Sequence, residues 1–262
     1  MCILFIAVER HPKYPLIIAA NRDEMHARPS APVHFWRDRR GILAGRDRVA
    51  GGAWFGVNRH GRVAGITNYR GAPAKTDARS RGELVARFLG GDDSRAGFEE
   101  FLRREHRAYN PFHLIYGGIG DGGLRCFSSA DGRARPLARG FHSIGNGALD
   151  DAWPKMSRGV EMLRRHIDED DLAAGALART MRDQTQFDGA PPREKHLSSI
   201  FILGAQYGTR ATTLLFGARG GFGLHEYRYA PDGAESGRAH FSLDIPRAPR
   251  GIQSGQAARA AT

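Results

Sequence analysis

Apolar residues along this chain gather into short runs divided by polar, glycine- and proline-containing links. Residues 3–8 form one run rich in β-formers and residues 14–20 form the next, with Arg10-His11-Pro12-Lys13 between them. Two such runs joined by a short polar link with proline read as a β-hairpin. Leu16-Ile17-Ile18-Ala19-Ala20 shows no alternation, so this strand is expected to be covered on both faces. Residues 54–57 and 62–67 predict a second hairpin around Asn58-Arg59-His60-Gly61. A short helix is expected over 83–89. Asp92-Asp93-Ser94 caps another over 96–106, where Phe98, Phe101 and Leu102 share one face. Strands are expected over 112–116 and 124–128, helices over 158–166 and 172–183, a loop over 189–195, and late strands over 200–203, 212–216 and 223–229.

The order is strands, helices, strands, helices, strands. Two β-layers covered by helices would bury that pattern in one domain over residues 1–246. Residues 247–262 hold Ala, Gly, Pro, Gln and Arg with almost no core formers, and a disordered tail is expected there.

Composition narrows the class. With 262 residues, 41% of them hydrophobic, the chain can bury a sizeable core. No apolar run reaches the length of about 18 residues needed to span a bilayer, and the opening run is too short and lacks the basic leader of a secretory signal. A soluble, cytoplasmic protein is the expectation. Two thiols, Cys2 and Cys126, make no disulfide framework and suit a reducing compartment. No metal-binding spacing is present, and no cofactor is expected. The net charge of +11 raises nucleic-acid binding, but the cations are nearly all arginine, scattered, and outside any nucleic-acid module. Nucleic acid is therefore not expected as a partner.

The candidate chemistry sits at the amino terminus. Removing Met1 would leave a chain that begins with cysteine, carrying a thiol and a free α-amine on one carbon. The amine titrates near 7.7–8.0 and the thiol near 8.5, so the amine can act as the base for its own side chain. If the hairpin turn centres between His11 and Pro12, paired positions sum to about 23. Cys2 then lies opposite Asn21, with Arg22 and Asp23 beside it. The cluster Asn21-Arg22-Asp23-Glu24 ends a buried strand and needs polar partners. An arginine beside the thiol favours the thiolate, and an aspartate can hold the terminal amine. Asn68 and Asn146 each end an apolar stretch, where an amide can donate to a developing oxyanion. Arg210 lies between two late strands.

At these residues the chain resembles the NRDE family, whose eukaryotic members are the transport-and-Golgi-organisation proteins. The matching segments are Met1-Cys2-Ile3, Asn21-Arg22-Asp23-Glu24, Arg28-Pro29, Gly52-Ala53-Trp54-Phe55-Gly56, Thr67-Asn68-Tyr69, Ser80-Arg81-Gly82-Glu83-Leu84-Val85, Trp153-Pro154-Lys155 and Tyr207-Gly208-Thr209-Arg210. The resemblance implies an α+β fold, the N-terminal-nucleophile (Ntn) hydrolase-like αββα sandwich of two mainly antiparallel sheets. It extends to bile-salt hydrolases and penicillin V acylases, which begin with Met-Cys and cleave amides. By order and context, Cys2, Arg22, Asp23, Asn68, Asn146 and Arg210 match the site positions of that group. In those acylases the aspartate lies three residues after the arginine, so either Asp23 or Glu24 takes the acidic role here.

Two activities follow as expectations. One is an amidase or acyl transferase in which Cys2 attacks an amide or thioester carbonyl of a small-molecule substrate. The other is a non-catalytic carrier or chaperone on the same fold for a hydrophobic ligand such as haem or an acyl lipid. For the carrier, Phe35, Trp36, Trp54 and Phe55 are candidate pocket aromatics and His26 and His34 are candidate iron ligands.

Overall fold

The computed structural model describes residues 2–71, 74–120, 123–188 and 192–246. Met1, part of the 189–195 loop and the 247–262 tail lie outside the described residues. Among the described residues, thirteen strands and four α-helices follow one another: β1 (Cys2–Val8), β2 (Leu16–Met25), β3 (Ser30–Phe35), β4 (Ile42–Asp47), β5 (Phe55–Asn58), β6 (Arg62–Asn68), α1 (Gly82–Gly90) and α2 (Arg95–Glu105). They continue with β7 (Phe112–Gly118), β8 (Leu124–Ser128), β9 (Arg133–Pro136), β10 (Gly140–Ile144), α3 (Pro154–Asp168) and α4 (Ala174–Thr180). The last are β11 (Tyr207–Ala218), β12 (Gly221–Tyr229) and β13 (Glu235–Asp244).

The strands form two antiparallel sheets. One runs β10-β1-β2-β11-β12-β13 and the other β3-β4-β5-β6-β7-β8-β9. Strand periodicity divides each central strand between two cores. Leu4, Ile6, Val8, Leu16, Ile18 and Ala20 point into the space between the sheets. Ile3, Phe5, Ala7, Ile17 and Ala19 point outward against α3 and α4. The outer face of the second sheet packs on α1 and α2 through Leu84, Leu89, Phe98 and Leu102. The layers are therefore αββα. Burial on both faces is why β2 shows no alternation. Among the described residues no helix is long and apolar enough to cross a membrane.

Local signals set the helix ends. The Ser94 side chain accepts a hydrogen bond from the Gly97 backbone N–H and starts α2 as a helix cap. Pro154 opens α3 four residues before the expected start, where a missing N–H costs nothing. Glycine permits one close contact: a Cβ on Gly159 of α3 would strike the Phe5 ring.

Residues 200–203, expected as a strand, are not one. Ile200, Phe201 and Ile202 are buried, but their backbone is satisfied irregularly. Phe201 N–H donates to the Asp183 carbonyl, Ile202 N–H donates to Thr209 Oγ1, and the Ile200 carbonyl accepts from the Asn21 amide. Two side chains and a distant backbone carbonyl supply what a ladder would have supplied.

Candidate active site

The first hairpin closes through a seven-residue link, with Glu9 N–H bonded to the Pro15 carbonyl. Val8 pairs with Leu16, so the register sums to 24 rather than 23 and Cys2 lies opposite Arg22, not Asn21. A slip of one residue exchanges the faces of a strand. Arg22 and Glu24 thus share the inter-sheet face with Cys2, whereas Asn21 and Asp23 turn toward the helices. The Asn21-Arg22-Asp23-Glu24 cluster does not end the strand; all four residues lie inside β2.

The Asn21 side chain is fully committed to structure. Its amide donates to the Met181 carbonyl at 2.9 Å and the Ile200 carbonyl at 3.0 Å, and its oxygen accepts from the Thr212 hydroxyl at 2.7 Å. Arg22 is 5% exposed. It lies 4.2 Å over the Trp54 ring and 3.7 Å from Glu24. Glu24 also lies 3.9 Å from Arg28, which is bonded to Asp47.

Cys2 is half-buried, while Cys126 is buried in the inter-sheet core. Cys2 lines a cleft of 1410 Å³ at the end of the sandwich where β1 begins and β6 ends, which is also lined by Arg22, Asp23, Asn68, Asn146, Arg81 and Tyr207. Burial pushes the Cys2 thiol up. The charge of the amino terminus, the Arg22 guanidinium and a hydrogen bond from the Asp23 backbone pull it down without overturning that direction. The simple expectation that a neighbouring arginine makes a standing thiolate therefore gives way to desolvation. Cys126 is pushed up to about 12 by burial.

Asp23 is likewise raised, chiefly by burial, against the amino-terminal charge, the Thr209 hydroxyl, Lys155 and Arg22. Thr209 Oγ1 donates to Asp23 Oδ1 at 2.6 Å, and the Tyr207 hydroxyl donates to the Asp23 carbonyl at 3.2 Å. Asn146 Nδ2 donates to the Asn68 carbonyl at 2.7 Å, and the Arg70 N–H donates to the Asn146 carbonyl. The two asparagines, 78 positions apart in sequence, thus meet on one wall. His113 Nε2–H donates to the Gly147 carbonyl at 2.8 Å and holds the loop that carries Asn146.

Of the six residues expected at the site, five line the cleft. Arg210 does not. It is the extra residue where pairing between β2 and β11 slips between Thr209 and Ala211, and it donates to the Met25 and Arg28 carbonyls, bracing the turn after β2. The carrier candidates also scatter. Trp36 and Phe55 are core, Phe35 packs on Phe241, and only Trp54 of the four faces the cleft. His26 and His34 bond to the carbonyls of Gly204 and Pro32.

Three residues at or beside the cleft escape the sequence reading. Arg81 precedes α1, lines the cleft together with Cys2 and lies within electrostatic reach of it. The Tyr207 hydroxyl is pushed up by burial and by the charges of Asp23 and Cys2. Burial lowers the pKa of the Lys155 ammonium, against the opposing charge of Asp23, and its Nζ donates to the Leu197 carbonyl. Each lies in one of the family-matching segments Ser80-Arg81-Gly82, Tyr207-Gly208-Thr209 and Trp153-Pro154-Lys155, and that match is the signal by which they could be found.

Comparison with known proteins agrees with this frame. A family model described as "Transport and Golgi organisation 2" matches residues 1–229. The Transport and Golgi organization protein 2 homolog of Bos taurus is 31% identical over 242 residues, covering 82% of this chain and 88% of that protein. The Homo sapiens homolog is 29% identical with the same coverage. Among solved structures, the C2A mutant of conjugated bile acid hydrolase from Clostridium perfringens aligns with a TM-score of 0.51 at 10% identity, covering 94% of this chain and 92% of that one. Penicillin V acylase from Agrobacterium tumefaciens aligns with a TM-score of 0.50 at 11% identity, covering 93% and 86%. At such identities these two likenesses concern the fold alone.

Proposed function

The chain belongs to the Transport and Golgi organisation 2 (NRDE) family, and from that premise we propose that it acts as an N-terminal-cysteine hydrolase or acyl transferase on amide or thioester carbonyls. The observation that carries this reading is the contrast between its two thiols: Cys2 is half-accessible at a cleft with Arg22, Asp23 and two asparagine amides, whereas Cys126 is sealed in the core.

Removal of Met1 would free the Cys2 amine. Because burial raises the thiol, the proton leaves sulfur for that amine as attack begins, rather than from a thiolate held beforehand. The sulfur forms a bond to the carbonyl carbon and the π electrons move to oxygen. The second N–H of the Asn146 amide, and the Asn68 amide, which has no side-chain partner among the described residues, are the donors available to that oxyanion. Asp23 sits where it can orient the ammonium. The ammonium returns its proton to the leaving nitrogen or sulfur, that bond to carbon breaks, and a thioester on Cys2 remains. Water, or an acceptor amine for transfer, attacks the thioester in the same way and restores the thiol.

The carrier alternative has less support, because several charged side chains line the cleft and its candidate histidines bond to carbonyls elsewhere. The test is turnover of a panel of acyl anilides and acyl thioesters by tag-free protein and by Cys2→Ala. The variant should be folded and inactive; full residual turnover removes the proposal.

A further inference from the structure

Two arginines lie two residues apart before α1 and meet opposite fates. Arg79 is paired with Glu83 and Glu105 and lies over the Tyr109 ring. Arg81 is half-buried in the cleft wall. Its one hydrogen bond among the described residues runs from Nη1 to the Pro111 carbonyl at 3.1 Å. Among those residues it also has no carboxylate within ion-pair distance and lies over no aromatic ring. A guanidinium has five N–H donors in a fixed fork, so most of this one is unspent. Burial lowers its pKa, and the negative charges that offset this are those of Cys2 and Glu24.

The carboxylates nearby are already engaged. Glu24 is shared between Arg22 and Arg28, and Asp47 is held by Arg28. Leaving aside Arg79, which Glu83 and Glu105 hold, five Arg and Lys side chains line the cleft against three carboxylates. The cleft therefore carries surplus positive charge beside the nucleophile, which favours a negatively charged ligand.

We propose that Arg81 is the anion-recognition residue of the Cys2 cleft, so that the acyl donor carries a carboxylate or phosphate close to the scissile carbonyl. The planar fork of arginine suits either group in a two-point contact. This rests on Cys2 as the nucleophile, and it adds a substrate class to that reading.

Two alkylating reagents of nearly equal size decide it: iodoacetate, which is anionic, and iodoacetamide, which is neutral. Both react with the same thiolate, so the ratio of their rates at Cys2 is independent of the thiol pKa. Mass spectrometry follows the Cys2 peptide in native protein, with the urea-unfolded chain as reference. The iodoacetate-to-iodoacetamide ratio should be about tenfold higher in the native state, the scale of one charge-assisted hydrogen bond. Iodoacetate labelling should saturate, and inorganic phosphate at constant ionic strength should slow it. Arg81→Met should return the ratio to the unfolded value, and Arg81→Lys should keep part of the bias. A native ratio equal to the unfolded one overturns the proposal, as does an unchanged ratio in folded Arg81→Met. Should Arg81→Met fail to fold, the absence of any phosphate effect on wild-type labelling overturns it equally. An anion bias without turnover of any amide or thioester leaves Arg81 its role and removes the hydrolase. Turnover with equal rates on anionic and neutral donors does the reverse.

Discussion

Asn21 offers a sharp test of how the Asn21-Arg22-Asp23-Glu24 motif is divided between architecture and chemistry. Its side chain is 1% exposed and serves three groups. Met181 directly follows α4 as its C-cap, and its carbonyl accepts from the Asn21 amide. Ile200 belongs to the buried irregular segment and accepts from the same amide. Thr212 donates to the Asn21 oxygen and itself accepts from Tyr229. Asn21→Ala strands two buried carbonyls and one hydroxyl. At about 1–3 kcal/mol for each stranded carbonyl, the loss is about 2–6 kcal/mol, a large share of the about 5–15 kcal/mol typical of a domain. Asn21→Asp keeps the volume but turns a carboxylate toward two carbonyls. It should be worse at neutral pH and recover partly in acid, where the protonated acid regains a donor. Urea unfolding measures both, with an unchanged dependence on denaturant confirming that stability alone has moved. A cost below about 1 kcal/mol for Asn21→Ala would refute the assignment of Asn21 to the scaffold. A normal stability with altered Cys2 labelling would place Asn21 in the site instead.

Two further outcomes are expected. Asp23 holds its proton to higher pH in the folded chain than an ordinary aspartate. The native state then binds more protons than the unfolded state between the two pKa values, so stability falls as pH rises through that window. Asp23→Asn should flatten that fall and raise the urea midpoint at neutral pH while abolishing turnover; a lower midpoint at neutral pH contradicts the direction of the Asp23 shift. Gly52, in the link between β4 and β5, lets that link meet the start of α1, since a Cβ there would lie 2.7 Å from the Gly82 carbonyl oxygen and 2.8 Å from its Cα. Gly52→Ala should cost about 1–3 kcal/mol or more, read as a fall of about 2–4 °C in Tm per kcal/mol, and should displace Arg81. An unchanged Tm would show that the two backbones can part freely.

Where burial is two-sided and continuous, the chain is readable. The runs in β1 and β2 and the cap of α2 are each visible in a few adjacent residues. The strands β3, β4 and β13 are not. β3 and β13 mix polar and apolar residues, β4 has only a short apolar run, and tertiary partners hold them: Glu226 of β12 accepts from the Val33 N–H of β3, Arg28 and Asp47 clamp the ends of β3 and β4, and β13 pairs along one edge only. The excess of arginine is equally opaque. Much of it is spent within the fold, as Arg46 on Trp36, Arg59 on Phe35 and Arg87 on Phe101 illustrate. Net charge counts such residues as surface, although their planes cover aromatic rings.

Five of the six candidate site residues meet at one cleft, but their arrangement is not legible in the sequence, and the reason is a single step of register. A motif of four consecutive residues in a strand is two interleaved pairs that face opposite ways. With the hairpin summing to 24, Arg22 and Glu24 join Cys2 on the inter-sheet face while Asn21 and Asp23 face the helices. A sum of 23 would reverse this, aiming Asn21 and Asp23 at the thiol's face and burying Arg22 and Glu24 against α3 and α4, away from Trp54. The link between β1 and β2 decides between them. Its seven residues, closed by Glu9 at φ 51° and by the Tyr14 N–H on His11, lie far from the thiol at the other end of the hairpin. The orientation of the charged pair beside Cys2 is therefore set by a turn that never touches it. Inserting or deleting one residue in that link should damage Cys2 reactivity, read by alkylation rate, more than most substitutions in the cleft itself. The outward-facing Ile17 and Ala19 would have to exchange places with the inter-sheet Ile18 and Ala20, and both sets are packed. An unchanged labelling rate in such a variant would mean that the link absorbs the extra residue as a bulge and that the pairing of β2 with β11, rather than the turn, holds the register.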